Sequence, residues 1–352
     1  MSIPIPVNEP ILEFSAGSPE KHSLKEKLAE LSGKEIEIPL IINGEEVKTG
    51  NIGTCVMPHD HGHVLAHFHQ AGEPEVQQAI ESSLNAWKSW SKTHLQERAD
   101  VLLKAADLLA GPWRNTLNAA TMLNMSKNAY QAEIDAACEL IDFWRFNPYF
   151  AQEIHNQNPM YSPDGTRNSS EHRPLEGFVF AVTPFNFISI GGNLPTAPAL
   201  MGNVALWKPA SSAVYPAYFV MEILKEAGLP NGVINFIPGS GAVVGPLVMN
   251  HPNFTGVHFT GSTPVFQGMW KTIGENISNY KSYPRIVGET GGKDFAIVHK
   301  SANPDAVITA MVRGAFEFQG QKCSELSRAY IPNPLWNKIN RSEERRVGKE
   351  CR

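Results

Sequence analysis

Apolar residues recur at helical spacing along much of the first half of the chain. Residues 75–90, 96–109 and 128–146 place apolar side chains every three or four positions, which predicts three amphipathic helices. Between residues 39 and 47 the apolar pattern is shorter and turns at Asn43-Gly44, a dipeptide typical of a two-residue β-hairpin. We therefore expect a mainly helical first half with one early hairpin.

The pattern changes after a polar, proline-containing segment at 156–174, which we expect to be a loop. Short β-rich runs then alternate with helical stretches such as 213–227, and a later helix begins with Asn303 as N-cap and Pro304 and runs to about residue 318. This alternation predicts an α/β fold with a doubly wound parallel sheet covered by helices on both faces. The predicted strands are 178–182, 204–207, 233–237, 257–260, 286–287 and 295–298.

Composition narrows the class of protein. The chain has 352 residues, 42 % of them apolar and 18 % charged, with a formal net charge of −5. This is ordinary for a folded protein of about two or three domains, and no basic face for nucleic acid is indicated. No run approaches the roughly 18 apolar residues of a membrane helix, and the N-terminus resembles neither a signal nor a transit peptide.

The four cysteines, at positions 55, 138, 323 and 351, form no Cys-x-x-Cys pair. A zinc site or redox dithiol is therefore not expected, and no metal is predicted. Isolated thiols fit a reducing compartment. We expect the cytoplasm, with the mitochondrial matrix as the alternative, since the chain begins without a targeting pattern.

Two segments carry groups suited to covalent catalysis. Cys323 follows a predicted helix in a turn of small and polar residues, where a helped thiol could act as nucleophile. Glu289 ends a β-rich run and precedes two glycines, and a carboxylate there could act as general base. Taken singly, each residue has a more ordinary interpretation: a half-buried structural cysteine, and a strand-end charge in water.

Three further segments follow predicted strands. Asn186, between two aromatic residues, could donate a hydrogen bond to an oxyanion or be satisfied by a turn. Lys208 follows another strand, where α/β sheets bind ligands, but could equally be a surface lysine. Residues 261–265 open a helix whose N–H groups could hold a pyrophosphate or only water. The glycines at 239, 241 and 245 have irregular spacing for a dinucleotide fingerprint, and we interpret them as a tight strand-to-helix connection.

The order and spacing of these segments resemble the aldehyde dehydrogenase superfamily. The order is Pro-Phe-Asn-Phe, Trp-Lys-Pro, Phe-Thr-Gly-Ser, Glu-x-Gly-Gly-Lys and Gly-Gln-x-Cys. Longer stretches resemble 1-pyrroline-5-carboxylate dehydrogenases in particular, at 131–137, 139–143, 175–178, 191–194, 199–203 and 318–324. The resemblance covers residues 6–340.

The resemblance implies a mechanism and a cofactor. Cys323 would attack the aldehyde of glutamate γ-semialdehyde, Asn186 and the Cys323 N–H would stabilise the oxyanion, and Glu289 would activate the water that releases glutamate. NAD would accept the hydride, with NADP possible because the chain has Ala-Ser-Ser at 210–212 where many relatives place an acidic residue. The implied cofactor-binding residues are Thr183, Lys208, Gly261, Ser262, Thr263, Pro264 and Val265, and the implied substrate residues are Lys322, Ser324, Phe187 and Glu139.

The resemblance also implies the domain organisation. Residues 1–155 and 175–290 would form the NAD-binding domain with its N-terminal helical part, 156–174 a linker or oligomerisation arm, and 291–340 the start of a truncated catalytic domain. The charged string at 341–352 resembles translated adapter DNA and is interpreted as non-native, the alternative being a native tail. The parent protein is expected to be a homo-oligomer acting on a small molecule, without nucleic acid or membrane partners. Alternatives are an inactive fragment, a non-catalytic module, or a dehydrogenase for another aldehyde.

Overall fold

The computed structural model describes residues 3–340, and these divide into two compact units. The first unit ends at Glu289 and the second begins at Thr290. The segment 341–352, interpreted above as non-native, lies outside the described residues. Within residues 3–340 no helix is both long enough and apolar enough to cross a membrane.

The N-terminal part of the first unit combines helices with a small sheet. A π-helical turn, Glu133–Cys138, joins the last two helices. The elements are α1 (Pro19–Ser32), β1 (Ile36–Ile38), β2 (Leu40–Ile42), β3 (Glu45–Val47), β4 (Ile52–Met57), β5 (Asp60–His69), α2 (Glu73–Trp90), α3 (Leu95–Ala110), α4 (Arg114–Met125), α5 (Ala129–Ala132) and α6 (Glu139–Asn156).

The rest of the first unit alternates strands with helices, as the sequence predicts. The elements are β6 (Phe178–Val182), α7 (Ile188–Leu200), β7 (Val204–Lys208), α8 (Val214–Ala227), β8 (Ile234–Phe236), α9 (Gly241–Met249), β9 (Phe254–Thr260), α10 (Thr263–Glu275) and β10 (Arg285–Glu289). The polar segment 156–174 is loop from residue 157 onward, and the glycines at 239–245 make the expected connection from β8 into α9.

Seven strands form the main sheet in the order β10-β9-β6-β7-β8-β2-β3. The strands β6, β7 and β8 are buried along almost their whole length, which requires cover on both faces. Neighbours from β10 to β8 are parallel, but β2 and β3 are antiparallel. The prediction of a doubly wound parallel sheet is thus confirmed except at this edge, where the early hairpin joins it.

Asn235 explains how the hairpin is attached. This fully buried side chain accepts hydrogen bonds from the Asn43 N–H and the Ser82 hydroxyl, and donates to Ala79 O and the Ser83 hydroxyl. The turn itself has positive φ at Asn43 (55°) and at Gly44, as a two-residue hairpin turn requires. One buried amide therefore connects the hairpin, α2 and the strand β8.

The helical prediction for the first half was incomplete. Residues 52–69 form the antiparallel pair β4 and β5, and β1 pairs with β5 in a separate three-stranded sheet. The predicted helix 128–146 is instead α5, the π-helical turn and α6, which continues through buried Pro148 to Asn156. Six residues in a π turn change the phase of the helix, so its two ends present different faces.

The second unit is small. It contains β11 (Phe295–Ile297), α11 (Pro304–Phe316), a 3₁₀ turn (Glu317–Gly320), β12 (Arg328–Tyr330) and helical residues 333–340. The strands β11 and β12 pair in parallel, and the Asn303 side chain caps α11 by accepting from the Asp305 and Ala306 N–H groups. The helix ends at Phe316, two residues earlier than predicted. Its core consists of Ile308, Met311, Leu335 and Ile339.

Candidate active site

The main sheet has a topological switch point between β6 and β9. From β6 the chain proceeds through β7 to β8 on one side, and then crosses to β9 and β10 on the other side. In open α/β sheets the crevice outside the carboxyl ends of the strands at such a point is the usual ligand site. The residues that follow β6, β7, β9 and β10 are therefore the first candidates for function.

Four of the predicted segments lie along this one edge. The strand registers pair Val182 with both Lys208 and Phe259, and Glu289 with Thr260. Because these pairs are at the carboxyl ends of parallel strands, the turn after β6, the end of β7, the start of α10 and the end of β10 are neighbours in space. Motifs that are far apart in the sequence therefore lie together at one edge of the first unit.

Thr183 and Lys208 form the β6 to β7 part of this edge. The Thr183 N–H donates to Lys208 O at 3.2 Å, and the Thr183 hydroxyl accepts from Trp207 Nε1 at 3.0 Å. The Lys208 ammonium donates to Pro209 O at 3.2 Å, and burial lowers the pKa of this lysine. A buried cation at a strand end is costly unless further acceptors reach it, which suits a lysine that contacts a ligand.

The start of α10 forms the β9 part of the edge. Ser262 is the N-cap, and Thr263 and Pro264 open the helix. Ser262, Thr263, Pro264 and Val265 are all exposed, so a ligand could approach the backbone there. The Gly261 N–H donates to Glu289 O at 3.1 Å, which ties this helix start to the end of β10. The first N–H groups of a helix have no acceptor within it and favour anions.

Glu289 is the last residue of β10, the outermost strand of the sheet. Its side chain is exposed in the first unit. Its backbone position is fixed by pairing with Thr260 and by the hydrogen bond from Gly261. A carboxylate held by its strand and exposed at its side-chain end is accessible to a water molecule.

Asn186 lies in the turn between β6 and α7, half-buried between exposed Phe185 and buried Phe187. The Phe187 ring packs under the Lys127 ammonium, which lies 4.6 Å from the ring centroid. The nearby Ser189 hydroxyl donates to Glu139 Oε2 at 2.6 Å. Glu139, predicted as a substrate residue, is therefore engaged with the first turn of α7.

Cys323 belongs to the second unit, in a turn that follows the 3₁₀ segment. The thiol is partly buried, Ser324 is exposed, and Lys322 lies 3.8 Å from Glu317. A Cβ added to Gly292 would lie 1.6 Å from Cys323 O, so only glycine fits beside this turn. Gly292 thus allows two backbone segments of the second unit to approach closely.

The backbone before Cys323 is unusual. Phe318 and Gln319 have φ of 48° and 56°, and Gly320 continues with φ of 71°. Non-glycine residues in the left-handed region are uncommon and concentrate where local backbone shape serves a function. Cys323 and Glu289 belong to different units, so the convergence of thiol, carboxylate and amide on one carbonyl carbon stays a prediction.

Two buried charged residues beside this edge were not predicted from the sequence. Lys127 and Asp135 are both buried and form an ion pair with a distance of 2.6 Å. The available signal was their position within or beside an otherwise apolar helical stretch, where a charge needs a partner. Among the described residues, no group of three or more His, Cys, Asp or Glu is arranged to hold a metal ion.

The chain is similar in sequence to several known proteins. The chain is 51 % identical over 335 residues to a delta-1-pyrroline-5-carboxylate dehydrogenase of Agaricus bisporus, and 47 % identical over 332 residues to the mitochondrial human protein of that name. These alignments cover 95 % and 94 % of this chain. They cover only 61 % and 59 % of those relatives, so the chain spans less than two thirds of their length.

The fold is also similar to a solved structure. The delta-pyrroline-5-carboxylate dehydrogenase from Mycobacterium tuberculosis, solved with NAD bound, superposes with a TM-score of 0.94 at 48 % identity. The superposition covers 97 % of this chain and 64 % of that one. The Aldehyde dehydrogenase family profile matches residues 47–349, most of the chain. The chain therefore belongs to the aldehyde dehydrogenase family.

Proposed function

We propose that the protein represented by this chain oxidises L-glutamate γ-semialdehyde, the open form of 1-pyrroline-5-carboxylate, to L-glutamate with NAD as the hydride acceptor, in proline degradation. The observation that carries the reaction type is the single carboxyl edge that holds Asn186, Lys208, the start of α10 and Glu289 at the sheet's switch point. The substrate is supported by relatives at 47–51 % identity that are named for it.

The residues at this edge fit a dinucleotide. Lys208 could donate to ribose oxygens, and the backbone of Gly261 to Val265 could support a pyrophosphate at the start of α10. Thr183 would border the cofactor path. Residues 210–212 offer no carboxylate to repel a ribose phosphate, so NADP is the alternative to NAD. The Mycobacterium tuberculosis neighbour was solved with NAD, which supports the first choice.

The chemistry divides one oxidation into two easier steps. The Cys323 thiol first loses its proton to solvent, and the thiolate then bonds to the aldehyde carbon. The Asn186 amide and the Cys323 N–H donate to the oxyanion that forms. When the carbonyl reforms, a hydride leaves that carbon and a thioester remains on Cys323. Bound NAD supplies the acceptor for this hydride. Glu289 then removes a proton from water, which attacks the thioester and releases glutamate and the free thiol.

The substrate side is assigned to Phe187, Glu139, Lys322 and Ser324. Phe187 adjoins Asn186, and Glu139 is linked to the same turn through Ser189. Lys322 and Ser324 flank the nucleophile in sequence. An amino-acid aldehyde carries an ammonium and a carboxylate, and a polar border with one aromatic wall suits both its charged end and its short chain.

The direct test measures NADH absorbance with the full 352-residue chain, NAD and glutamate γ-semialdehyde. We expect the unsubstituted chain to produce NADH, and we expect Cys323→Ala and Glu289→Gln to abolish this activity. We expect it to fall by about 10²- to 10³-fold in Asn186→Ala, the usual effect of removing one oxyanion donor. Cys55→Ala is the matched control, because this buried thiol, whose pKa burial raises to about 12, has no assigned role.

The rate of NADH formation with propanal is compared with the rate with glutamate γ-semialdehyde. A preference for the simple aldehyde would indicate an aldehyde dehydrogenase for another substrate. No NADH with any aldehyde, together with no protection of Cys323 from alkylation by NAD or substrate, would favour the non-catalytic module or inactive fragment. Either result contradicts the proposal for this chain.

The assembly, domains and compartment are further parts of the proposal. We assign residues 156–174 to a linker or oligomerisation arm and 291–340 to the start of the catalytic domain, and we expect the parent protein to be a homo-oligomer. Size-exclusion chromatography with light scattering tests the assembly. For the compartment we retain the cytoplasm with the mitochondrial matrix as alternative, and the names of the Dictyostelium and human relatives support the alternative.

A further inference from the structure

The turn that carries Asn186 is held from outside the sheet by two polar contacts. Both contacts come from residues 127–139, a stretch that includes the π-helical turn Glu133–Cys138 and ends at the first residue of α6. The first joins the Lys127–Asp135 pair to the Phe187 ring, and the second joins Glu139 to Ser189. The mechanism above uses none of Lys127, Asp135 or Ser189.

The first contact is a charged one in a buried place. The Lys127 side chain is completely buried and its ammonium donates to Asp135 Oδ2 at 2.6 Å. The same ammonium lies 4.6 Å from the centre of the Phe187 ring, within the range of a cation–π interaction. The ring therefore rests against a cation whose position is in turn fixed by a carboxylate.

Such a pair is weak evidence for a role in stability alone. Removing two charges from water costs free energy, and replacing a buried pair with apolar groups of similar volume is often neutral or stabilising. A buried pair can instead select one conformation of the groups around it. Here the group against the pair is an aromatic ring directly after the proposed oxyanion donor, Asn186.

The second contact explains why the π turn lies where it does. Asp135 is inside the turn and Glu139 follows it directly, so this irregular segment contacts Ser189 through Glu139 and supports Phe187 indirectly, through Lys127. Glu139 accepts from Ser189, which is fully buried in the first turn of α7. Single π turns within helices frequently occur at functional sites, because they redirect side chains without ending the helix.

The backbone of this stretch needs such support. Phe187 is the N-cap of α7, with φ of −135° and ψ of 112°, and its phenyl ring carries no oxygen or nitrogen that could cap the helix. The Gly191 N–H donates to Phe187 O at 3.1 Å, the hydrogen bond that opens the helix. A change in the backbone dihedral angles of Phe187 therefore moves both the start of α7 and the preceding residue, Asn186.

We propose that Lys127 and Asp135 are positioning residues, which fix the Phe187 ring and thereby hold the Asn186 amide in the orientation that an oxyanion requires. The inference rests on the proposed role of Asn186. An oxyanion donor must be held within about 0.5 Å of its productive position, so a supporting contact of this kind affects rate rather than fold.

The test is hydrogen–deuterium exchange of the Gly191 amide and of peptides covering residues 185–191 in the full chain. The Lys127→Met/Asp135→Asn double variant removes both charges without leaving one buried alone. We expect the exchange of Gly191 to rise by roughly tenfold, as loss of a desolvated cation–π contact predicts. Exchange in β6 and β7 should stay unchanged, and Lys127→Arg, which keeps a cation over the ring, should restore most of the protection.

The matched control is Lys225→Met/Glu222→Gln, which neutralises a more exposed ion pair on α8 with a distance of 3.1 Å. It should leave residues 185–191 unaffected. Unchanged Gly191 exchange in the Lys127 and Asp135 double variant, or equal exchange in that variant and in Lys127→Arg, would overturn the inference. The Lys127→Met single variant is unsuitable, because it leaves the Asp135 carboxylate buried without its cation.

Kinetics then separate this inference from the proposed function. If the chain produces NADH, the double variant should lower kcat more than it raises KM, because ground-state binding does not need the oxyanion donor. An unchanged kcat would also overturn the inference. If neither the unsubstituted chain nor any variant produces NADH, the proposed function fails. The exchange experiment still decides whether Lys127 and Asp135 hold the turn.

Discussion

At the scale of single residues, the candidate site depends on side chains whose backbone positions are set by close packing. Gly292 is the sharpest case in the second unit, because the space for its Cβ is occupied by the carbonyl oxygen of Cys323. A main-chain carbonyl oxygen cannot move aside to make room, whereas the end of a flexible side chain can. The glycine is thus required for the shape of the turn that carries the nucleophile, independently of any role in chemistry.

We predict that Gly292→Ala disrupts this turn. The added methyl group would lie 1.6 Å from Cys323 O, so the two segments must separate. Overpacking of this kind costs about 1–3 kcal/mol or more. Hydrogen–deuterium exchange of residues 321–325 should rise, and urea titration should show a less stable second unit.

The control for this substitution is Gly268→Ala in the interior of α10, where nothing lies within 4 Å of the new Cβ. Alanine in an open helical position should stabilise the protein by up to about 1 kcal/mol. Equal effects of the two substitutions would show that the close approach at Gly292 does not exist in solution.

Residue-scale reasoning from the sequence worked where a side chain ends a strand. Asn186, Lys208 and Glu289 were each assigned to a strand end, and all three lie at the carboxyl edge of the sheet. Lys127 and Asp135 were not found, because their meaning depends on an ion pair and on an aromatic ring 60 residues away along the chain. Local patterns carry no information about such contacts.

At the scale of elements, predicted strands were accurate where burial makes the run uniformly apolar. Strand β6 matches its prediction residue for residue, and β7 is longer by only Lys208. Strands β4 and β5 were missed because His61, His63 and other polar residues interrupt the alternation of apolar positions in β5. The continuation of α6 through Pro148 was missed because proline ordinarily ends a helix.

The cap of α11 gives an element-scale prediction. Asn303 accepts hydrogen bonds from the N–H groups of Asp305 and Ala306, which satisfies two donors at the helix start. Asn303→Ala should destabilise the second unit by about 1 kcal/mol, whereas Asn303→Asp should retain most of the stability because aspartate caps equally well. Urea titration monitored by exchange in α11 measures the difference. A loss of the same size in both variants would mean that the cap contributes little.

At the scale of the whole molecule, the two units differ greatly in the core that each contains. The core of the first unit extends through the main sheet and the helices on it. The described part of the second unit, residues 290–340, has one small cluster around Ile308, Met311, Leu335 and Ile339. Its two strands also leave apolar side chains exposed, with Phe295 58 % and Ile297 76 % accessible. Burial of apolar surface is the main favourable term in folding, so stability should follow this difference.

We therefore predict that the second unit unfolds before the first. Exchange of the α11 and β12 amides should lose protection at lower urea concentration than exchange of the β6 and β7 amides, giving two transitions instead of one. An alternative is that both units unfold together, as one cooperative structure. Coincident transitions in the two sets of amides would establish that alternative and contradict the prediction.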